Sequence, residues 1–371
     1  MPHLVALDLP GGDRFVEALR RAWDDGDAIF PVDRRLPPPA RAAAIAAAAP
    51  TAVVDEHGRH ALDGRPVDDG DALVVATSGS TGAPKAVVLT HDAVRASAMA
   101  TSSRLDIDDG DTWLACLPLA HIGGLAVVTR ALVTDTRLVV HDGFVAASVE
   151  DAARQGATAV SLVPTALARI DASLFRVIVV GGARPPSDRP AHVHSTYGLT
   201  ETGSGVVYDG RPLDGVELRI VDDEILVRAP MVMRGYRDGS TAVDADGWLH
   251  TGDLGRLLDD GRLHVDGRRG EVIVTGGEKV WPEPVERLIA RHSDVADVAV
   301  AGIDDDEWGQ QVVAWIVPKG DTPRLADIRA LVGAELPAFC APKQIVATDH
   351  IPRTALGKVQ RHLLPRPRST D

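Results

Sequence analysis

The chain has 371 residues, of which 45% are hydrophobic and 25% are charged, as in an ordinary globular protein of two or three domains. This composition argues against a disordered, fibrous or membrane-embedded chain. The 39 basic and 53 acidic residues give a formal net charge of −14, which argues against nonspecific binding of nucleic acid through a basic surface. A local basic pocket for a small anion is compatible with that charge.

Cysteine usage and the N-terminus predict a cytoplasmic protein. Cys116 and Cys340 lie far apart in sequence, without metal-like or redox spacing, which fits a reducing compartment. The first residues show neither a basic start nor an uninterrupted apolar run, so no signal peptide is expected. No stretch approaches about 18 uncharged apolar residues, so no membrane span is expected.

The N-terminal part alternates short β-rich apolar runs with helix-like segments, which predicts an α/β domain built on largely parallel sheet. A Pro- and Ala-rich tract at 36–50 predicts a turn followed by a helix. The predicted strands are 73–77, 137–140, 158–163 and 176–180, and the predicted helices are 92–101, 124–132, 149–155 and 165–170.

The pattern of apolar, Gly and Asp residues changes twice in the rest of the sequence, near residue 206 and after residue 267. From about Val206, strands such as 224–227 and 262–265 are punctuated by Gly and Asp, which predicts a β-rich subdomain reaching residue 267. Beyond it, helices at 284–292 and 325–336 and strands at 296–301, 311–317 and 344–348 predict an α+β unit of domain size. The expected fold class is α/β, with a large N-terminal domain over 1–267 and a small α+β domain over 268–371.

The sharpest local signal is a loop rich in hydroxyls and glycine that ends in Pro-Lys. Glycine allows close approach of the backbone, N–H groups and hydroxyls donate to phosphate oxygens, and lysine supplies charge. A flexible surface loop is the alternative, but a position after an apolar strand and before a helix capped by Thr90 favours phosphate binding. Pro84 excludes a Walker A loop, which needs Gly-Lys-Ser/Thr. The loop residues are Thr77, Ser78, Gly79, Ser80, Thr81, Gly82 and Lys85.

Five motifs in order resemble those of the acyl-adenylate-forming enzymes, the superfamily of acyl-CoA synthetases, amino-acid adenylation domains and luciferases. The loop resembles the family's phosphate loop, and Tyr197-Gly198-Leu199-Thr200-Glu201 resembles its aromatic-Gly-x-Thr-Glu motif. The others are the Thr-Gly-Asp at 251–253, the hinge and following loop at 267–278, and the motif at 352–358 that carries the mobile lysine. The resemblance covers nearly everything from Pro31 to His362, and it implies a C-terminal domain that moves about a hinge near 268–271. Gly270 departs from the Asp or Ser that is common there.

The resemblance implies an enzyme that joins a carboxylate to the α-phosphate of ATP and then lets a thiol displace AMP. Because two anions approach one another in the first step, Mg²⁺ and fixed donors must offset their repulsion. Lys358 is implied as the catalytic lysine, Glu201 as the Mg²⁺ ligand and Thr200 as a donor to the α-phosphate. Taken alone, Lys358 would be an exposed lysine and Glu201 a solvated loop carboxylate.

The same resemblance implies the nucleotide site. Asp253 and Arg268 would bind the ribose, although a turn-stabilising Asp is the alternative. The adenine would lie between Tyr197, next to Gly198, and a backbone wall; each could equally be a core aromatic and a tight turn. The wall residues are Gly181, Gly182 and Ala183, and the loop implied to line the thiolation site for CoA is Gly276, Gly277 and Glu278.

The acyl pocket depends on a histidine and an arginine. The stretch 117–125 resembles the motif in which His121 borders the acyl pocket, although a lone histidine is more often structural. Arg130 lies in an apolar helical run, where an unpaired guanidinium would be costly and implies an anionic partner, either the substrate or a protein carboxylate. By motif position, the pocket candidates are His121, Gly123, Arg130, Thr196 and Gly203.

Within the family, the chain is most similar to the o-succinylbenzoate–CoA ligases of menaquinone biosynthesis, particularly the short actinobacterial ones. Their substrate is a dicarboxylate, and its aromatic carboxylate needs a cation that Arg130 could supply directly or through water. ATP and CoA are then co-substrates and Mg²⁺ is the cofactor, while homo-oligomerisation stays open. Two alternatives remain: an adenylation enzyme for another acid or for a carrier protein, and a non-catalytic nucleotide-binding protein on the same scaffold.

Overall fold

The computed structural model describes residues 1–78, 84–183, 189–353, 357 and 359–367. The chain divides into two units. The first comprises residues 1–221, 225–251 and 257–264, and the second comprises residues 222–224, 252–256 and 265–371. Among the described residues, no helix is long and apolar enough to cross a membrane. The cytoplasmic location stays a prediction.

Helices and strands alternate at first and strands dominate later. Up to residue 104 they are β1 (Leu4–Leu7), α1 (Asp13–Asp24), β2 (Ala28–Pro31), α2 (Pro38–Ala48), β3 (Ala52–Asp55), β4 (Gly58–Ala61), β5 (Asp71–Ser78), β6 (Pro84–Thr90) and α3 (His91–Arg104). Next come β7 (Thr112–Ala115), α4 (Ile122–Thr134), β8 (Arg137–Val140), α5 (Ala146–Arg154), β9 (Ala159–Leu162), α6 (Pro164–Leu167), β10 (Val177–Val180) and β11 (Val193–Leu199). The strands that follow are β12 (Ser204–Tyr208), β13 (Arg211–Pro212), β14 (Glu217–Val221), β15 (Glu224–Arg228), β16 (Gly235–Tyr236), β17 (Leu249–Leu257) and β18 (Leu263–Arg268). The last elements are β19 (Ile273–Thr275), β20 (Glu278–Val280), α7 (Pro282–Ile289), β21 (Val295–Asp305), β22 (Gly309–Pro318), α8 (Leu325–Gly333) and β23 (Gln344–Ala347).

Two seven-stranded sheets form the frame of the first unit. One has the order β16-β6-β5-β2-β1-β3-β4, in which β5, β2, β1 and β3 are parallel. The other has the order β13-β12-β11-β10-β9-β7-β8, in which β11 to β8 are parallel. Strands β9 and β10 are buried at every position, which explains why they read in the sequence as continuous apolar runs.

The second unit is an α+β unit around a sheet of order β20-β19-β22-β21, with β23 parallel to β22. Its core includes Val285 and Ile289 of α7 packed with Val300 and Ile316 of the β21–β22 hairpin. A further sheet has the order β14-β15-β17-β18. Both cysteines are free and buried, Cys116 in the first unit and Cys340 in the second.

The predicted fold class is confirmed, and most predicted elements are present with boundaries that differ by a few residues. The Ala-rich helix is α2, and Thr90 caps α3 by accepting a hydrogen bond from the N–H of Ala93 at 3.1 Å. The helix predicted at 165–170 is only a short one, α6. The domain boundary at 267/268 and the movement of the C-terminal domain stay predictions.

The sequence analysis did not predict the strand that follows the phosphate loop. Residues 84–90 form strand β6, antiparallel to β5, and α3 begins only after it. The reason is burial: four consecutive residues of β6, from Ala86 to Leu89, are apolar and buried, and they pair along β5. The loop is therefore the connection of a β-hairpin.

Candidate active site

The hairpin of β5 and β6 holds the two ends of the predicted phosphate loop. Thr77 pairs with Lys85 and Ser78 with Pro84, and the Thr77 hydroxyl donates to the Lys85 carbonyl at 3.4 Å. The side chain of Lys85 is exposed at the base of the loop. Gly79, Ser80, Thr81 and Gly82 lie outside the described residues.

Tyr236, which was not among the residues predicted from the sequence, contacts both Lys85 and Glu201. The Nζ atom of Lys85 is 4.5 Å from the centre of the Tyr236 ring. The hydroxyl of the same tyrosine donates to Oε1 of Glu201 at 3.0 Å. Tyr236 stands in a two-residue strand without an apolar pattern, so no local signal in the sequence marks it.

Glu201 stands on a 3-10 turn, Thr200–Thr202, between β11 and β12. The Thr202 hydroxyl accepts a hydrogen bond from the N–H of Leu199 at 2.9 Å, and Gly203 ends the turn at φ = +66°. A Cβ atom on Gly198 would come within 2.1 Å of the Ser204 carbonyl oxygen, so only glycine allows β11 and β12 to approach this closely. Thr200 and Glu201 are both half-buried.

The surroundings of Glu201 fit Mg²⁺ that arrives with a nucleotide. The described residues contain no group of three or more His, Cys, Asp or Glu side chains that could hold a metal ion. Mg²⁺ is usually bound by one or two carboxylates together with substrate phosphates and waters, so a single carboxylate is a suitable protein ligand. Glu201, with Oε1 fixed by Tyr236, offers such a carboxylate.

The predicted adenine wall follows β10. Gly182 adopts φ = +80°, a conformation that favours glycine. Gly182 and Ala183 are both exposed. A Cβ atom on Gly181 would lie 3.2 Å from Oγ1 of Thr196, so the structure brings this wall next to a pocket candidate on β11. Tyr197 is half-buried on the same strand.

His121 is the residue immediately before helix α4 and faces an aspartate. Its Nε2 atom lies 3.3 Å from Oδ2 of Asp33, without the alignment of a hydrogen bond. Arg35 donates to both Asp33 carboxylate oxygens at 2.8 Å. Burial alone would raise the pKa of Asp33, but contacts with His121 and Arg35 hold this pKa well below its usual range. Gly123, the second residue of α4, is half-buried.

Arg130 is a buried cation in α4 with no carboxylate partner among the described residues. Its side chain stacks on Trp113, with the guanidinium carbon 4.7 Å from the ring centre, and Nη2 lies 3.5 Å from Oγ of Ser204. In the described part of the chain, Nε and Nη1 have no hydrogen-bond partner. Burial lowers the pKa of this guanidinium. Of the two partners left open for it, a protein carboxylate is therefore not found.

A small cavity borders Arg130 and brings it together with a second pocket candidate. Gly203 lines it, together with Leu73 of β5 and with residues of α3 and α4 that include Ser97 and Thr129. Its volume is about 10 Å³, which is about the space that one water molecule requires. The cavity as it stands therefore suits a water beside the guanidinium, rather than a ring-bearing acid.

The ribose candidates lie in the second unit. Asp253 is buried on β17, and Nε of Arg268, at the end of β18, is 2.8 Å from its Oδ1 atom. The structure thus brings these two predicted residues together as an ion pair. Before them, Gly252 adopts φ = +70° and its N–H donates to the Glu224 carboxylate at 2.9 Å.

The predicted thiolation loop is the turn between β19 and β20. Gly276 and Gly277 have φ of +58° and +84°, as two-residue hairpin turns require, and Glu278 is exposed. A Cβ atom on Gly276 would lie 2.9 Å from the Trp308 ring. Turn geometry thus accounts for the glycines by itself. Lys358 lies outside the described residues. At the predicted hinge, a Cβ atom added to Gly270 would meet no atom within 4 Å, so the space there would accept a larger residue.

Comparisons with known proteins find similarity over most of the chain. Residues 60–237 match the family model of AMP-binding enzymes, and residues 284–358 match the AMP-binding enzyme C-terminal domain. A probable 2-succinylbenzoate–CoA ligase of Mycobacterium tuberculosis is 40% identical over 332 residues, covering 82% of this chain and 86% of that protein. A 2-succinylbenzoate–CoA ligase of Bacillus cereus is 32% identical, covering 78% of this chain and 69% of that protein.

Solved structures are also similar to this chain. The o-succinylbenzoate CoA synthetase of Bacillus subtilis in complex with its acyl-adenylate intermediate has a TM-score of 0.88 and 26% identity, covering 100% of this chain and 89% of that chain. A second structure of that enzyme, in complex with ATP and magnesium ion, has a TM-score of 0.86 and 26% identity, covering 98% of this chain and 89% of that chain.

Proposed function

The chain belongs to the AMP-binding enzyme family and is an adenylate-forming CoA ligase, and from that premise we propose that its acid is o-succinylbenzoate. The products are then o-succinylbenzoyl-CoA, AMP and pyrophosphate. The names of the Mycobacterium, Bacillus cereus and Bacillus subtilis relatives support this substrate. A carboxylate, ATP, Mg²⁺ and CoA are accordingly what this chain must bind.

The observation that carries the substrate proposal is the uncompensated charge of Arg130. A buried guanidinium is costly unless an anion is close to it, and the described residues provide no carboxylate. The aromatic carboxylate of o-succinylbenzoate is an anion that would compensate this charge. Because the cavity next to Arg130 suits about one water, we propose that a water links the carboxylate to the guanidinium.

In the first step, an oxygen of the aliphatic carboxylate attacks the α-phosphorus of ATP, the bond to the bridging oxygen breaks, and pyrophosphate leaves. We propose that Lys85 and the N–H groups and hydroxyls of the loop bind the phosphates, and that Thr200 donates to the α-phosphate. Mg²⁺, held by Glu201, would supply charge that offsets the repulsion of the anions. Lys358 is assigned to the same step through its motif.

In the second step, the sulfur of CoA attacks the acyl carbon, AMP leaves, and the thiol proton is lost. The proposed nucleotide contacts are the ribose with Asp253 and Arg268, and the adenine with Tyr197 and the wall at 181–183. A ribose hydroxyl would then share the Asp253 carboxylate with Arg268. His121 and Gly123 stay proposed pocket residues, and 276–278 stays the proposed thiolation loop.

Pyrophosphate release and thioester formation, measured over a panel of carboxylic acids, test the proposal. The panel must include 4-oxo-4-phenylbutanoate, which is o-succinylbenzoate without its aromatic carboxylate. We expect pyrophosphate from o-succinylbenzoate in the absence of CoA, thioester only with CoA, and much weaker turnover of the analogue. Equal turnover of both acids, or thioester formation only on a carrier protein, would contradict the proposal.

A further inference from the structure

We propose that Tyr236 is a positioning residue that keeps the phosphate-loop lysine and the Mg²⁺-binding glutamate apart and correctly oriented. One side chain contacts both groups: the ring faces Nζ of Lys85 at 4.5 Å, and the hydroxyl donates to Glu201 at 3.0 Å. The inference rests on the roles that the proposed function gives to Lys85 and Glu201. It does not depend on which acid is activated.

The backbone on either side of Tyr236 holds the same two elements. The N–H of Met233 donates to the Glu201 carbonyl at 2.7 Å. The N–H groups of Arg234 and Arg237 donate to the carbonyls of Val88 and Ala86 on β6, the strand that begins with Pro84 and Lys85. One short segment thus fixes the main chain of Glu201 and that of β6.

Two arginines anchor this segment more firmly than its two-residue strand would by itself. Arg234 donates to both carboxylate oxygens of Asp71, at 2.9 and 2.8 Å. The buried Arg237 donates to three backbone carbonyls, those of Ala48 at 3.1 Å, Pro66 at 3.0 Å and Arg65 at 2.5 Å. Because the residues near Tyr236 on both sides are anchored, the backbone of Tyr236 is fixed in a position from which its side chain contacts Lys85 and Glu201.

The chemistry of the two contacts explains why a tyrosine suits this position. A lysine and a glutamate this close to one side chain could pair with each other, and that pair would neutralise the groups that must meet phosphate and Mg²⁺. Lys85 and Glu201, both in the described part of the chain, form no such ion pair. The aromatic face attracts the ammonium group, and the hydroxyl donor orients the carboxylate. Each ion keeps its charge for the substrate.

The test is the dissociation constant of ATP, measured by calorimetry with and without Mg²⁺ and without any acid. Tyr236→Phe keeps the ring and removes the hydroxyl, so ATP affinity without Mg²⁺ should stay within about twofold of the parent. The gain in affinity that Mg²⁺ provides should fall by about 10-fold, as when a hydrogen bond to a metal ligand is lost. Tyr236→Leu should also weaken ATP binding without Mg²⁺, by about two- to fivefold.

Tyr208→Phe is the matched control, because it removes a tyrosine hydroxyl whose partner is Thr101 and not a predicted phosphate or metal residue. It should leave both constants unchanged, and thermal unfolding verifies that every variant is folded. The inference is overturned if Tyr236→Phe keeps the full Mg²⁺ gain while Glu201→Gln loses it, or if Glu201→Gln itself keeps the gain. Failure of o-succinylbenzoate in the acid panel changes neither result, so the two proposals fail separately.

Discussion

Apolar side chains and the hydroxyls of Ser97, Thr129 and Ser204 surround Arg130, and two of its guanidinium nitrogens lack hydrogen-bond partners in the described part of the chain. A residue that served only stability would be better replaced by an apolar side chain of similar size, because desolvation of the charge is not repaid. Arg130 is therefore best explained by a ligand that brings a negative charge to it.

We predict that Arg130→Met raises the Michaelis constant for o-succinylbenzoate about 10- to 150-fold, the equivalent of about 1.5–3 kcal/mol for a charged hydrogen bond. The constant for 4-oxo-4-phenylbutanoate should change little, and the melting temperature should not fall. Steady-state kinetics of both enzymes with both acids isolates the effect from general damage. Equal losses with the two acids would make Arg130 a structural residue and reopen the question of the substrate.

Lys358 gives a second prediction at this scale. Lys358→Ala should nearly abolish pyrophosphate release, because the transition state loses a positive charge between two anions. ATP binding, and thioester formation from preformed acyl-AMP, should stay close to parent values. Lys319→Ala, which removes an exposed lysine of the second unit, is the control. Release within a few-fold of the parent would remove Lys358 from the reaction.

Single residues differ in how far the sequence could predict them. Lys85 and Glu201 belong to continuous motifs and could be proposed from a few neighbouring letters. Tyr236 and Asp33 could not, because their roles arise only when the fold brings them to Glu201 and His121. Arg130 was proposed from its apolar context, but only the packing of α4 shows that the described residues supply no carboxylate for it.

Among the elements, the turn between β11 and β12 is the one on which Glu201 most directly depends. We predict that Gly198→Ala destabilises the protein by about 1–3 kcal/mol, because the added Cβ would lie 2.1 Å from the Ser204 carbonyl and the backbone must shift. Activity should fall further than stability, since Glu201 shifts with the turn. Denaturant unfolding and pyrophosphate release measure the two effects.

Gly333→Ala is the control for that substitution. It adds the same methyl group at the end of α8, where nothing lies within 4 Å of the new atom, so stability should be unchanged or slightly raised. If Gly198→Ala were as neutral as Gly333→Ala, the close approach of β11 and β12 would not constrain the turn.

Sequence patterns predicted those elements whose own residues are buried. Strands β9 and β10 read as apolar runs, and α3 carries its capping Thr90. The edge strand β4 is exposed at all four positions and so has no apolar pattern. The two-residue strand β16 exists because its neighbour β6 and the flanking arginines hold it, which is a tertiary effect that local propensity does not express.

At the scale of the whole molecule, each unit has its own buried core and one free cysteine within it. Cys116 packs among Leu114, Val160 and Ile178, and burial raises its pKa to about 12. Cys340 packs against the core of the second unit, and burial raises its pKa as well. A buried thiol that is hard to ionise reacts slowly with thiol reagents.

We predict that the native protein resists labelling by a disulfide reagent at pH 8, and that each cysteine reacts only as its own unit opens. Variants that keep one cysteine, Cys116→Ser and Cys340→Ser, assign the two rates by pulse labelling across a denaturant series. Fast labelling of both thiols without denaturant would mean that these cores open readily.

Because each unit contains one buried thiol, the labelling rates of the two cysteines can measure how much a ligand stabilises each unit. A ligand stabilises whatever it binds by an amount set by its concentration relative to its dissociation constant. If ATP slows the labelling of Cys116, ATP binding stabilises the first unit against opening. If ATP slows the labelling of Cys340, it stabilises the second unit. Adding the acid and then CoA would follow that distribution through the catalytic cycle, with no probe other than the two sulfur atoms of the natural sequence.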